Sequence, residues 1–110
     1  VPGRCYRITD KESGVSAGFG GDGVYQKELV EFFKGCDVLE FARGMDTDPV
    51  NPNKHSSIQE SARLAEEAGV KMFCPVHGPA NQIQQCREKV KEYYQGNTHW
   101  PRPLERLVVS

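Results

Sequence analysis

The sequence has no apolar run of about 18 residues or more, so nothing in it reads as a membrane-spanning helix. Cysteine is sparse. Cys5, Cys36, Cys74 and Cys86 form no C-x-x-C pair, which argues against a zinc knuckle or a thioredoxin-type redox pair. At this density the expected state is reduced thiols, with Cys36 and Cys74 buried because they sit in apolar runs. Neither charge sign dominates: 14 Lys and Arg face 15 Asp and Glu, a formal net charge of −1, so no global pull toward nucleic acid or acidic membrane is expected. GFGGDG is not followed by the Lys-Ser/Thr pair of a phosphate loop, and there is no G-x-S-x-G nucleophile elbow. Repeats and low-complexity tracts are absent as well. The opening VPGRCYRITD lacks the charged and apolar regions of a signal peptide. With reduced thiols, this leads us to expect a cytoplasmic protein. The opening also lacks Met, and we expect a piece of a longer protein.

The 110 residues suffice for one domain, taken as 1–110, with a small core that a partner or a metal often supplements. CYRITD, residues 5–10, alternates and reads as a strand; KESG is a turn, and VSAGF a second strand completing a hairpin. GGDG at 20–23 breaks it. A short helix is predicted over 26–34, with Leu29, Val30, Phe32 and Phe33 as its apolar set and Gly35 as its stop. CDVLEFA (36–42) reads as a buried strand, and RGMDTDPVNPNK as a long polar loop. Ser57 and Glu60 form a capping box ahead of a helix whose Ile58, Ala62, Ala65 and Ala68 share a face and which ends at Gly69. VKMFCPV (70–76) is another buried strand. Asn81 caps a third helix with Ile83, Cys86, Val90, Tyr93 and Tyr94 on one face, Gly96 closes it, and LERLVVS is a terminal edge strand.

The order β-β-α-β-α-β-α-(β) predicts an α/β fold in which strands separated by helices run parallel in one sheet. Ligand groups then gather beyond the strands' carboxyl ends. Three polar residues fall there: Asp22 after the second strand, His55 before the capped helix, and His77 after the fourth strand. A carboxylate and two imidazoles can hold a divalent metal such as zinc, manganese or iron. Each also has a plain structural role. Asp22 can bond its own turn, His55 can be an exposed loop residue, and His77 a neutral loop histidine. Their shared position at strand ends is what favours the functional alternative. His99 reads most simply as a surface residue. Asp37 and Glu40 border a buried strand and fit edge or turn roles better than paired acid–base catalysis.

The blocks VPGRCYRI, GGDG-x-Y, KGCDVL, HSS-x-x-E-S-A-R-L-A-E-E-A-G-V-K and VHGP, in this order across nearly the whole chain, resemble the C-terminal half of a metallo-β-lactamase-fold hydrolase, in the manner of the ribonuclease Z-like branch. The resemblance implies half of an αββα sandwich, a mixed sheet with helices on one face. It also implies that Asp22 bridges two metal ions, zinc first among candidates, that His77 is the last metal-binding histidine, and that His55 is a proton donor near a scissile phosphate. Phosphodiester or ester hydrolysis by metal-activated water would follow, with RNA or another phosphodiester as substrate.

Four features depart from that family's pattern. The main motif H-x-H-x-D-H is absent, Gly23 stands in place of Thr, Phe41 and Ala42 in place of His-Glu, and Val76 in place of Thr. Glu40, two residues from that Glu position and on the same side of a strand, could replace it only with a local shift. Two ligands fall short of the roughly three that a catalytic zinc takes. Hence we expect either part of a hydrolase, completed by a missing N-terminal half or a homodimer partner, or a non-catalytic half-domain that dimerises as a binding or assembly module.

Overall fold

The computed structural model describes residues 5–20, 25–42, 57–76 and 83–101. Its order is β1 (Tyr6–Thr9), β2 (Ser16–Phe19), α1 (Lys27–Phe32), β3 (Val38–Ala42), α2 (Ile58–Ala68), β4 (Met72–Val76), α3 (Ile83–Tyr93) and β5 (Asn97–Thr98). The strands form one five-stranded sheet in chain order. β1 and β2 are antiparallel, and every later pairing is parallel. The sheet is therefore mixed, as its alternation with helices predicts.

The β1–β2 turn owes its shape to Asp10. Its carboxylate accepts from the Ser13 hydroxyl (2.7 Å) and from the Glu12 and Ser13 backbone N–H groups, and Gly14 completes the turn at φ +77°. α2 begins at Ser57, whose hydroxyl accepts the Glu60 N–H at 3.1 Å, and ends at Gly69 in the left-handed region, φ +67°. Both ends match the sequence signals.

Leu39 and Phe41 of β3 and Phe73 of β4 lie on one sheet face and pack with Phe33, Ile58, Ala62, Leu64, Ala65, Cys86 and Val90 in a single cluster. All three helices therefore cover the same face. α2 sits close on it because four of its six buried residues are small: Ser61, Ala62, Ala65 and Ala68, beside Ile58 and Leu64. Register puts Tyr6, Ile8, Ala17, Phe19, Val38, Glu40, Met72, Cys74 and Val76 on the opposite face. No described helix covers that face, and Tyr6 and Ile8 are 54% and 62% exposed.

Some local expectations are corrected. Phe32 is 42% exposed, and only Phe33, in the turn after α1, enters the core. A six-residue helix has too few turns to bury two adjacent rings on one stripe. The two-residue β5 was not anticipated, because two residues carry no periodicity. LERLVVS, Asn81 and the whole polar loop of residues 43–54 lie outside the described residues. His99 is half-buried, and its N–H donates to the Phe73 carbonyl at 2.9 Å beyond the end of β5, so it is a sheet-edge residue and no plain surface one.

Tyr94 closes the core between α3 and β4. Its hydroxyl donates to the Val70 carbonyl at 2.9 Å, its ring meets Phe73 edge to face, and burial, with Glu66 nearby, pushes its pKa up to about 12. A raised pKa keeps the neutral phenol favourable below pH 10, and that contribution is lost as pH rises through 12. Tyr94→Phe should cost about 1 kcal/mol at neutral pH. It should also flatten the loss of stability between pH 10 and 12, as read by denaturant melts across that range.

Candidate functional site

The parallel strands β2, β3 and β4 end side by side. Phe19 registers with Glu40, and Ala42 with Val76, and the Gly20 N–H donates to the Glu40 carbonyl at 2.8 Å. Gly20 has no side chain because none fits: a Cβ there would overlap the Phe41 ring. The amino end of α2 reaches the same rim. Its other end is tied to the base of the sheet, where Gly35 N–H donates to the Ala68 carbonyl at 2.8 Å and Lys71 N–H to the Cys36 carbonyl at 3.0 Å. Eleven helical residues span about 16 Å, close to the length of a five-residue strand, so Ser57 arrives at the strands' carboxyl ends.

Asp22, His55 and His77 lie outside the described residues, as does Gly23. What the structure does fix is their anchors: Gly20 two residues before Asp22, Ser57 two residues after His55, and Val76 immediately before His77. All three anchors belong to one rim. Among the described residues, no three His, Cys, Asp or Glu side chains come together as a metal-binding group.

The rim contains two enclosed acceptors, of which sequence reading singled out only Glu60, and that for capping. Glu60 Oε1 and Gln59 Oε1 are buried and have no hydrogen-bond partner among the described residues. Burial of the Glu60 carboxyl raises its pKa, against the opposing effects of the Ser57 backbone N–H and of Arg63. That N–H bond makes the capping box reciprocal. The S-x-x-E signal located Glu60, but only the packed structure shows one of its oxygens to be enclosed.

Asp37, just before β3, and Glu40 within it have separate tasks. Asp37 accepts the Ser16 N–H at 2.8 Å and pairs with Lys71 at 3.0 Å, and these bonds, the Ser16 one first, lower its pKa. It sits at the foot of the strand, away from the rim, in the structural role expected of it. Glu40 lies on the face opposite the helices, while Phe41 is fully buried on the helix face. None of the four cysteines is in a disulfide, and burial pushes the Cys5 and Cys36 thiols up, away from thiolate chemistry. A cleft of about 440 Å³ between α3 and β5, lined by Arg87, Lys91 and Trp100 among others, lies at the sheet edge and away from this rim.

Comparison with known proteins agrees with this geometry. No family model matches the chain, and no curated protein sequence matches it. Among solved structures, the chain is similar to the metallo-β-lactamase fold protein YhfI from Bacillus subtilis, with a TM-score of 0.78 and 23% identity. The match takes in 87% of this chain and 40% of that one. The chain thus has the metallo-β-lactamase type of α/β fold and spans well under half of the solved protein's length.

Two outcomes check the rim. Gly20→Ala should destabilise the fold by about 1–3 kcal/mol through overpacking against Phe41, read as a fall in melting midpoint. Because a carboxyl with a raised pKa disfavours the folded state once ionised, Glu60→Gln should gain in melting temperature over the parent as pH rises from 4 to 7. The two should converge near pH 4.

Proposed function

We propose that this chain is part of a metal-dependent hydrolase of the metallo-β-lactamase fold, in the manner of the ribonuclease Z-like branch, acting on phosphodiester or ester bonds. The observation that carries the reading is the fold match, 87% of this chain on 40% of a longer one, with the flanks of Asp22, His55 and His77 meeting at one rim. In this reading Asp22 and His77 hold a divalent metal, zinc first and manganese or iron after it, and His55 delivers a proton to the leaving oxygen. A bound metal of this kind polarises the substrate oxygen and lowers the pKa of its water.

The donor set of the chain alone does not complete a catalytic site, since a catalytic zinc takes about three protein ligands and only Asp22 and His77 are assigned. The remaining donors come from further polypeptide, an N-terminal half or a second copy. RNA is the substrate that the ribonuclease Z-like pattern suggests.

A second reading, a non-catalytic half-domain serving in binding or assembly, draws on Phe41. That side chain is fully buried in the core where the hydrolase pattern places a histidine, so position 41 has become part of the packing.

Elemental analysis separates the two. Near-stoichiometric zinc, manganese or iron in the parent, lost in the double variant Asp22→Ala, His77→Ala, supports the hydrolase reading and leads to phosphodiesterase assays. Metal-free parent protein, after refolding with each ion, would sink it and leave the half-domain.

A further inference from the structure

The cleft between α3 and β5 takes no part in the rim and gathers cationic, aromatic and amide side chains in one place. Gln84, Arg87, Glu88 and Lys91 line it from α3, at the i, i+3, i+4 and i+7 spacing that sets side chains along one stripe of a helix. Asn97 and the Trp100 ring line it from the side of β5. Two cations face one carboxylate there, in a chain whose formal net charge is −1. Among the described residues neither Arg87 nor Lys91 is in an ion pair. We propose that this cleft binds a nucleotide unit, with its phosphate on Arg87 and Lys91 and its base against Trp100.

The walls are fixed by the fold itself. Tyr94 is buried beneath the cleft, its hydroxyl donating to the Val70 carbonyl at 2.9 Å. The chain crosses that ring at Gly96, where a Cβ would overlap the Tyr94 hydroxyl. On either side of Gly96 the segment is tied down: the Gln95 N–H donates to the Glu66 carboxylate at 2.9 Å, and the His99 N–H to the Phe73 carbonyl at 2.9 Å. Trp100 is half-buried and packs against the core. The guanidinium carbon of Arg87 lies 5.6 Å from the centre of the Trp100 ring, so the arginine is held at the cleft instead of ranging through solvent.

The mixture of groups selects the ligand. A bare anion would meet the two cations but be opposed by Glu88, and it would leave the indole unused. A neutral aromatic would leave both cations unused. A nucleotide brings a phosphate for the cations, a flat ring for the indole, and hydroxyl or amino hydrogens for Glu88. Gln84 and Asn97 each offer a donor and an acceptor to its polar edges. The space, about 440 Å³, falls in the range of roughly 300–1,000 Å³ usual for small-molecule sites. None of this depends on metal at the rim or on the hydrolase reading.

Trp100 is the only tryptophan in the chain, so its emission reports on this cleft. Titration of the full chain with AMP, in EDTA to keep metal from the rim, should change that emission saturably, with a dissociation constant on the order of 1 mM or below. AMP should bind about ten-fold tighter than adenosine or ribose 5-phosphate, each of which supplies only part of the recognition. Arg87 and Lys91 are exposed, so Arg87→Gln and Lys91→Gln should keep the parent's circular dichroism while weakening AMP about ten-fold by calorimetry. Lys11→Gln, an equal loss of charge in the β1–β2 turn, should leave binding unchanged. A single-stranded tetranucleotide that binds tighter than AMP identifies a strand as the natural source of the nucleotide, and one that binds no tighter identifies a free nucleotide; both uphold the site. No saturable change up to about 10 mM AMP overturns the proposal. So does ribose 5-phosphate binding as tightly as AMP, and so does a folded Arg87→Gln or Lys91→Gln variant that binds AMP no more weakly than Lys11→Gln.

Discussion

The close approach of α2 to the sheet governs the rest of this structure. With Ser61, Ala62, Ala65 and Ala68 turned inward, the helix axis can settle near β3 and β4, and the aromatic rings of Phe33, Phe41 and Phe73 fill the space on either side. Larger residues on that stripe would lift the helix and open gaps that interiors do not tolerate. The same approach fixes what lies at each helix end. Gly69 turns the chain directly into Val70 and β4, and Ser57 comes to rest where the parallel strands stop. The candidate site is thus a by-product of core packing, since the rim is where it is because α2 is as long as the strands it covers.

Sequence patterns gave away the features that rest on strong local chemistry. The Ser57–Glu60 box and Gly69 bracket α2 because capping bonds and a left-handed residue need those side chains and no others nearby. The hairpin was legible from alternation and from the KESG turn, though the part played by Asp10 in that turn was not. Legibility stopped where tertiary contact decides. Phe32 and Phe33 look equivalent in sequence, yet only one reaches the core, and β5 exists because His99 finds the Phe73 carbonyl. Gly20 reads as a turn residue from its neighbours but is also held small by Phe41 across the strand pair. At the site, spacing led to Asp22, His55 and His77, which lie outside the described residues, whereas the enclosed acceptors of Gln59 and Glu60 required three-dimensional packing to be seen.

The sheet is asymmetric in what its two faces need. One is sealed by helices and supports a core of three phenylalanines, while the other, which no described helix covers, has apolar residues at the alternate strand positions, with Val38 and Cys74 buried and Tyr6 and Ile8 exposed. A sheet patterned apolar on both faces belongs to an assembly thicker than one layer of helices.

The foot of the sheet is cross-tied. Asp37 takes the Ser16 N–H and the Lys71 ammonium, its own N–H returns to the Ser16 carbonyl at 2.9 Å, and Gly35 and Lys71 close the loop to Ala68 and Cys36. The starts of β2, β3 and β4 are thereby locked in register at the end remote from the rim. A protein engineer could exploit that division of labour. Segments joining the strands at the rim can be exchanged, lengthened or randomised while the latch at the foot preserves alignment, so the scaffold is suited to display libraries in which recognition is varied without renegotiating the fold.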